Sequence, residues 1–157
     1  MAKKSIDPVY RRKFIRLPFA KLKKEIANRN RAGAIRSEAD LQAYIWHFLT
    51  ERYSENITIH CECYLGAKIC KYPDIAIYRK EELNKPFIII ELKYKRKENG
   101  RFKEKSLEKE WGRLKFYSQN GIKSHFFAIC GDEVKYTLGL PSLDDFLVNF
   151  ICEKHRS

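Results

Sequence analysis

No CxxC pair occurs among the five cysteines, Cys61, Cys63, Cys70, Cys130 and Cys152. An odd count without paired spacing excludes a disulfide-stapled scaffold and points to a reducing cytoplasm. The opening MAKKSIDPVYRRKF lacks the apolar run of a signal peptide, in keeping with a cytoplasmic location. No apolar stretch approaches the roughly 20 residues of a membrane span, so no membrane partner is expected. Repeats and low-complexity linkers are also missing, and 157 residues with 44% hydrophobic content support one domain with a real core.

Acidic residues are the minority, 20 against 32 Lys and Arg, which leaves a formal net charge of +12. Such a chain is drawn to polyanions, of which nucleic acid is the commonest. Residues 1–34 hold eleven Lys or Arg against Asp7 and Glu25, a net of +9, leaving +3 for residues 35–157. Within that basic segment Arg11, Arg12, Lys13 and Arg16 are expected to contact phosphates, although a solvated arm accounts for the charge equally well. A membrane-surface role for the arm leaves the charges discussed next unexplained.

The hydrophobic pattern gives an order of elements, α-α-β-β-β-α-β-α. PFAKLKKEIANRNR, from Pro18 to Arg31, places Phe19, Leu22 and Ile26 on one side of a helix with a basic outer face. A second helix starts at Ser37, whose S-x-x-D spacing to Asp40 is a capping box, and carries Leu41, Ile45, Phe48 and Leu49 as its apolar stripe. ITIHCECYL alternates with period two, which turns Cys61 and Cys63 into the core as small hydrophobes. PDIAIY and FIIIELKY read as strands around the turn RKEELNKP. A third helix is expected from Ser106, with Leu107, Trp111, Leu114 and Ser118 inward and Gly121 closing it. HFFAIC forms a short buried strand, and SLDDFLVNFICEKH a closing helix capped by Ser142 and Asp145.

Three carboxylates fall where charge is costly. At 100° per residue Glu38 lies at the centre of its helix's apolar stripe, about 20° from both Ile45 and Leu49. In FIIIELKY, Ile88, Ile90 and Leu92 share the core face, so Glu91 and Lys93 project together from the other. Asp74 follows Pro73 at the start of its own strand, where chains emerge from turns. An internal ion-pair network around Lys93 is one account of these residues, because buried charge must be paired. Against it, three inward carboxylates exceed the one lysine among them, and a divalent cation with oxygen ligands relieves that excess directly. Carboxylate-held Mg²⁺ with an adjacent lysine is also what phosphodiester hydrolysis needs.

Pro73-Asp74, sixteen residues, then Glu91-Leu92-Lys93 on an apolar strand resembles the signature of the PD-(D/E)XK nuclease superfamily. The surrounding order, from the helix bearing Glu38 to the strand ending near residue 131, resembles that family's α-β-β-β-α-β core. The resemblance implies an α/β fold with a restriction-endonuclease-like core, a central mixed β-sheet flanked by α-helices. To it are added a basic N-terminal helix within residues 1–34 and a C-terminal helix, with the nuclease-like domain over residues 35–157. It further implies a metal-dependent deoxyribonuclease, an endonuclease hydrolysing DNA phosphodiesters with Mg²⁺, for which Mn²⁺ can substitute.

By that resemblance Asp74, Glu91, Glu38 and the backbone carbonyl of Leu92 would hold the metal, and Lys93 would be the catalytic lysine. A further polar residue on the following helix is expected, with Glu110, Lys115 and Ser118 as candidates. Tyr72, Trp111 and Tyr117 can stack on bases, core packing being the better use of Trp111. Lys95, Arg96 and Lys97 beside the motif are expected to join the basic arm in binding nucleic acid, DNA rather than RNA. A homodimer fits a small domain that reaches one strand yet cuts two. The alternative is a non-catalytic nucleic-acid-binding or assembly protein that retains the nuclease fold.

Overall fold

The computed structural model describes residues 17–65, 72–95 and 102–150. Arg11, Arg12, Lys13, Arg16, Arg96 and Lys97 lie outside these residues. The elements are α1 (Phe19–Arg31), α2 (Glu38–Tyr53), β1 (Ile57–Cys61), β2 (Ile75–Arg79), β3 (Ile88–Lys95), α3 (Glu104–Gln119), β4 (Lys123–Cys130), β5 (Glu133–Leu138) and α4 (Leu143–Phe150). The fold is α/β: one five-stranded mixed sheet in the order β1-β2-β3-β4-β5, flanked by helices. Neighbours are antiparallel except β3 and β4, which run parallel and are joined through α3. Parallel neighbours need such a crossover, since no tight turn can return the chain to the same end. Among the described residues no helix is long and apolar enough to cross a membrane.

Both faces of the sheet are covered. On one, Ile88, Ile90 and Leu92 of β3 and Phe127 and Ile129 of β4 pack with Leu22 and Ile26 of α1 and Leu41, Ile45, Phe48 and Leu49 of α2. On the other, Phe126 and Ala128 meet Leu107 and Leu114 of α3 and Phe146 and Phe150 of α4, while Ala76, Tyr78 and Ile89 meet Tyr117. The face carrying Glu91 and Lys93 is therefore not open to solvent; α3 lies over it.

The α2 cap forms as its spacing requires, with the Asp40 amide donating to Ser37 Oγ at 3.0 Å. The reciprocal bond is displaced by one residue, because Asp40 Oδ2 accepts from the Arg36 amide rather than that of Ser37. Ser142 caps α4 in the same manner, its Oγ accepting from the Asp145 amide.

Three expectations are corrected. Cys61 is exposed and only Cys63 is partly buried, its Sγ 3.7 Å from the Tyr78 hydroxyl. Cys61 is the last residue of an edge strand whose end is open, and Glu62 after it has φ +52°, a left-handed kink that ends β1 and breaks the alternation that would carry on to Cys63. Helix α3 begins at Glu104, two residues before Ser106, and its buried residues are Leu107, Glu110, Leu114 and Tyr117 rather than Trp111 and Ser118. Trp111 is partly buried and packs against the Leu107 and Leu114 cluster, its Nε1 donating to the Pro141 carbonyl, whereas Ser118 is exposed. The third is an addition, strand β5. Gly131, at positive φ, sits in the turn that returns the chain from β4 into β5 as a hairpin, and Gly139, also at positive φ, follows the end of β5.

His125 on β4 is buried, edge-on to Phe19 at 4.7 Å, with its Nδ1 accepting from the Gly139 amide at 2.9 Å. Burial, reinforced by nearby Lys123, pushes its pKa down from 6.5 to about 4. The folded state therefore holds neutral imidazole, and its contribution is fully present above pH 6.5 and lost as the pH falls toward 4. Stability should drop through this window by up to about 1.4 kcal/mol per pH unit on its account. Denaturant melts of His125→Asn, whose amide oxygen can still take the Gly139 proton, should show a shallower acid slope than the wild type. An unchanged slope would mean that His125 is not the group responsible.

Candidate active site at the end of strand β3

The ladder between β2 and β3 stops at Ile75 opposite Ile90. Beyond that point, among the described residues, no strand lies along this edge of β3, and its backbone is taken up by side chains instead. The Leu92 amide donates to Asp74 Oδ2 at 2.7 Å, and the Tyr94 backbone nearby favours the charged form of Glu38. In an extended strand a residue's N–H and C=O leave on the same side, so the Leu92 carbonyl is directed toward the same opening as Asp74. Pro73 starts this divergence. It is buried, has no amide to donate, and delivers Asp74 just before β2 begins.

Asp74 is held by its backbone as well. Its carbonyl accepts from Gln42 Nε2 of α2 at 2.7 Å and from the Glu62 amide at 3.2 Å. Glu38, in the first turn of α2, is half-buried and comes up to β3 from that helix. Burial raises its pKa, the Lys93 ammonium opposes this, and Asp74 and Glu110 add to the rise. The structure thus brings Glu38, Asp74, Glu91 and Lys93 to one end of the sheet.

Glu91 is fully buried. Its Oε1 accepts from the Tyr117 hydroxyl at 2.8 Å and lies 3.1 Å from Arg113 Nη2. Its Oε2 is buried without a hydrogen-bond partner, as is Oε2 of Glu110. Burial pushes the Glu91 pKa up to about 9, and the Asp74 carboxylate, within hydrogen-bonding reach, pushes the same way against Arg113. Two carboxyls this close cannot both be charged cheaply in a dry site. Either a proton or a cation satisfies the orphaned oxygen.

Lys93 is half-buried, with Nζ 3.1 Å from Glu110 Oε1. Burial pulls its pKa down, but Glu110, Glu38 and Asp74 together outweigh it, so the ammonium stays charged. The local inventory is four carboxylates (Glu38, Asp74, Glu91, Glu110) against two cations (Lys93, Arg113). The pairing is real, and the negative excess survives it.

Helix α3 supplies the residues that sequence reasoning did not assign. Glu110 stood undistinguished beside Lys115 and Ser118; Arg113 was passed over; Tyr117, considered for base stacking, is buried under Glu91. The signal was present in the spacing. Leu107, Glu110, Leu114 and Tyr117 follow the three-and-four repeat of a helix face, and two polar residues on such a face need polar partners on the strand beneath. Lys95 closes β3, half-buried, with its carbonyl accepting from the Gly131 amide.

The donors fit a hard cation: the two carboxylates of Asp74 and Glu91, the latter with its buried Oε2 unpartnered, and the backbone carbonyl of Leu92. Among the described residues no group of three or more His, Cys, Asp and Glu side chains stands ready to close around a metal ion. Glu38 therefore lies beside the Asp74 and Glu91 pair without completing a three-carboxylate cage. No family model, curated protein or solved structure matches the chain.

Proposed function

We propose that the chain is a metal-dependent deoxyribonuclease, an endonuclease of the PD-(D/E)XK type, hydrolysing DNA phosphodiesters where β2 parts from β3. One observation carries this reading. Asp74, Glu91, Lys93 and the β2-facing side of Leu92 converge at one strand end, with a buried Glu91 oxygen left unsatisfied. The α-β-β-β-α-β succession from α2 to β4 supports it, since that is the order the resemblance implies.

Asp74, Glu91 and the Leu92 carbonyl would hold Mg²⁺ or Mn²⁺, with Glu38 alongside. Such a cation would supply polarisation of the phosphate and a lowered pKa for bound water. The chain's own residues do the rest. Lys93, kept charged by its acidic neighbours, offsets negative charge growing on the phosphate and orients the attacking water. Arg113 and Tyr117 fix the rotamer of Glu91, and Glu110 aims Lys93. Exposed Lys21, Lys24, Arg29 and Arg31 on α1 give DNA a basic surface to lie on.

A second reading, a non-catalytic nucleic-acid-binding or assembly protein, is favoured by the same ion pairs. Lys93 with Glu110 and Arg113 with Glu91 satisfy a good part of the buried charge without any metal. Supercoiled plasmid and linear DNA incubated with purified protein separate the two. Nicking or cutting in Mg²⁺ or Mn²⁺ that EDTA stops is expected; no cleavage with either ion would favour the second reading.

A further inference from the structure

Tyr64 and Tyr72 stand at the two ends of residues 65–71, and both present large aromatic rings to solvent, 49% and 60% exposed. Their ring centroids are 5.2 Å apart with 35° between planes. Paired with each other, the two rings still leave much of their surface open, and the net charge of +12 suits a partner that has both π-faces and negative charge. Nucleic acid bases on a phosphate backbone have both.

The location narrows the ligand. Tyr72 lies two residues before Asp74, and its carbonyl accepts from Arg113 Nη2 at 3.0 Å. The same Nη2 is 3.1 Å from Glu91 Oε1. One guanidinium therefore ties the backbone under the Tyr72 ring to the carboxylate of the candidate site. Bases inside a duplex are stacked on each other and cannot lie on a tyrosine, whereas unpaired bases present a free face. We infer that Tyr64 and Tyr72 form a stacking shelf for unpaired bases, so that the strand entering the site is single-stranded DNA. The placement of that strand at a scissile bond rests on the nuclease reading; the stacking itself does not.

The test uses the full chain in EDTA, so that nothing is cut, and a labelled oligonucleotide of about 16 nucleotides, as a single strand and as a duplex. Wild type should bind the single strand more tightly. Tyr72→Ala and Tyr64→Ala should each weaken single-strand binding about tenfold and leave duplex binding unchanged, while Tyr72→Phe retains wild-type affinity. Both rings are exposed and the Arg113 bond uses the Tyr72 backbone, so the variants should fold, as circular dichroism would verify. Unchanged single-strand affinity in both alanine variants, or an equal loss for single strand and duplex, overturns the shelf. Cleavage of plasmid by those same proteins in Mg²⁺ would then leave the nuclease reading standing; a working shelf on a protein that never cuts would do the reverse.

Discussion

Asp74→Ala, Glu91→Ala and Lys93→Ala should each lower DNA cleavage about 10²- to 10³-fold or more, the loss expected when one preorganised charged group is removed from a phosphoryl site. Folding should survive. Asp74 lies just before β2, Lys93 is half-buried, and Glu91, though buried in mid-strand, is not part of the apolar clusters that hold β3 and α3. Removing Glu91 frees Arg113, whose partly exposed side chain can turn to solvent. Glu38→Ala should do less harm, because Glu38 flanks the pair without closing a cage. Initial rates on plasmid, with circular dichroism as the folding control, check this, and a Glu91→Ala protein that cuts at the wild-type rate would sink the assignment.

The second large effect is on stability and has a definite sign. Glu91 is held with a pKa of about 9 in the folded protein against an ordinary 4.5. Its proton's contribution is fully present below pH 4.5 and lost as the pH climbs toward 9. Metal-free protein should therefore lose stability toward alkaline pH on this account, opposite to the acid-side loss from His125. Glu91→Gln removes the conflict: the amide oxygen still accepts from Tyr117, and the amide nitrogen can donate to Asp74 where Oε2 had no partner. The metal-free melting temperature should rise by about 5 °C and its alkaline decline should flatten. Mg²⁺ or Mn²⁺ should raise the melting temperature of the wild type, by binding the folded state alone, and not that of Glu91→Gln. If neither ion shifts the wild-type melt, the ion-pair network becomes the better account of these residues.

Much of this residue cluster is legible in the sequence, and the parts that are not have a common cause. Period-two alternation placed Glu91 and Lys93 on one face, and helical periodicity turned Glu38 inward, since both follow from local backbone geometry. Lost was what lies above that face. Which element covers two charges on a strand is not written in the strand, and the stripe of α3 is read from its apolar residues, which leaves Glu110 and Tyr117 out of its buried face. The ion pairs of Glu110 and Arg113 with β3 are long-range matches that no single window of sequence contains. Strand β5 was missed for a simpler reason. Glu133, Lys135 and Thr137 dilute its alternation, although the bracketing glycines at 131 and 139 mark a hairpin.

The two outermost strands also decide how copies of this chain can meet. β1 is five residues long and stops at the left-handed Glu62, while β5 is six residues long, carries Lys135, and is stopped at both ends by glycines at positive φ. Short, kinked or lysine-bearing borders offer a poor template for a strand from another molecule. Growth of the sheet from copy to copy is thereby blocked at both borders. Any pairing of two copies would then run through helix surfaces or loops rather than through a shared sheet.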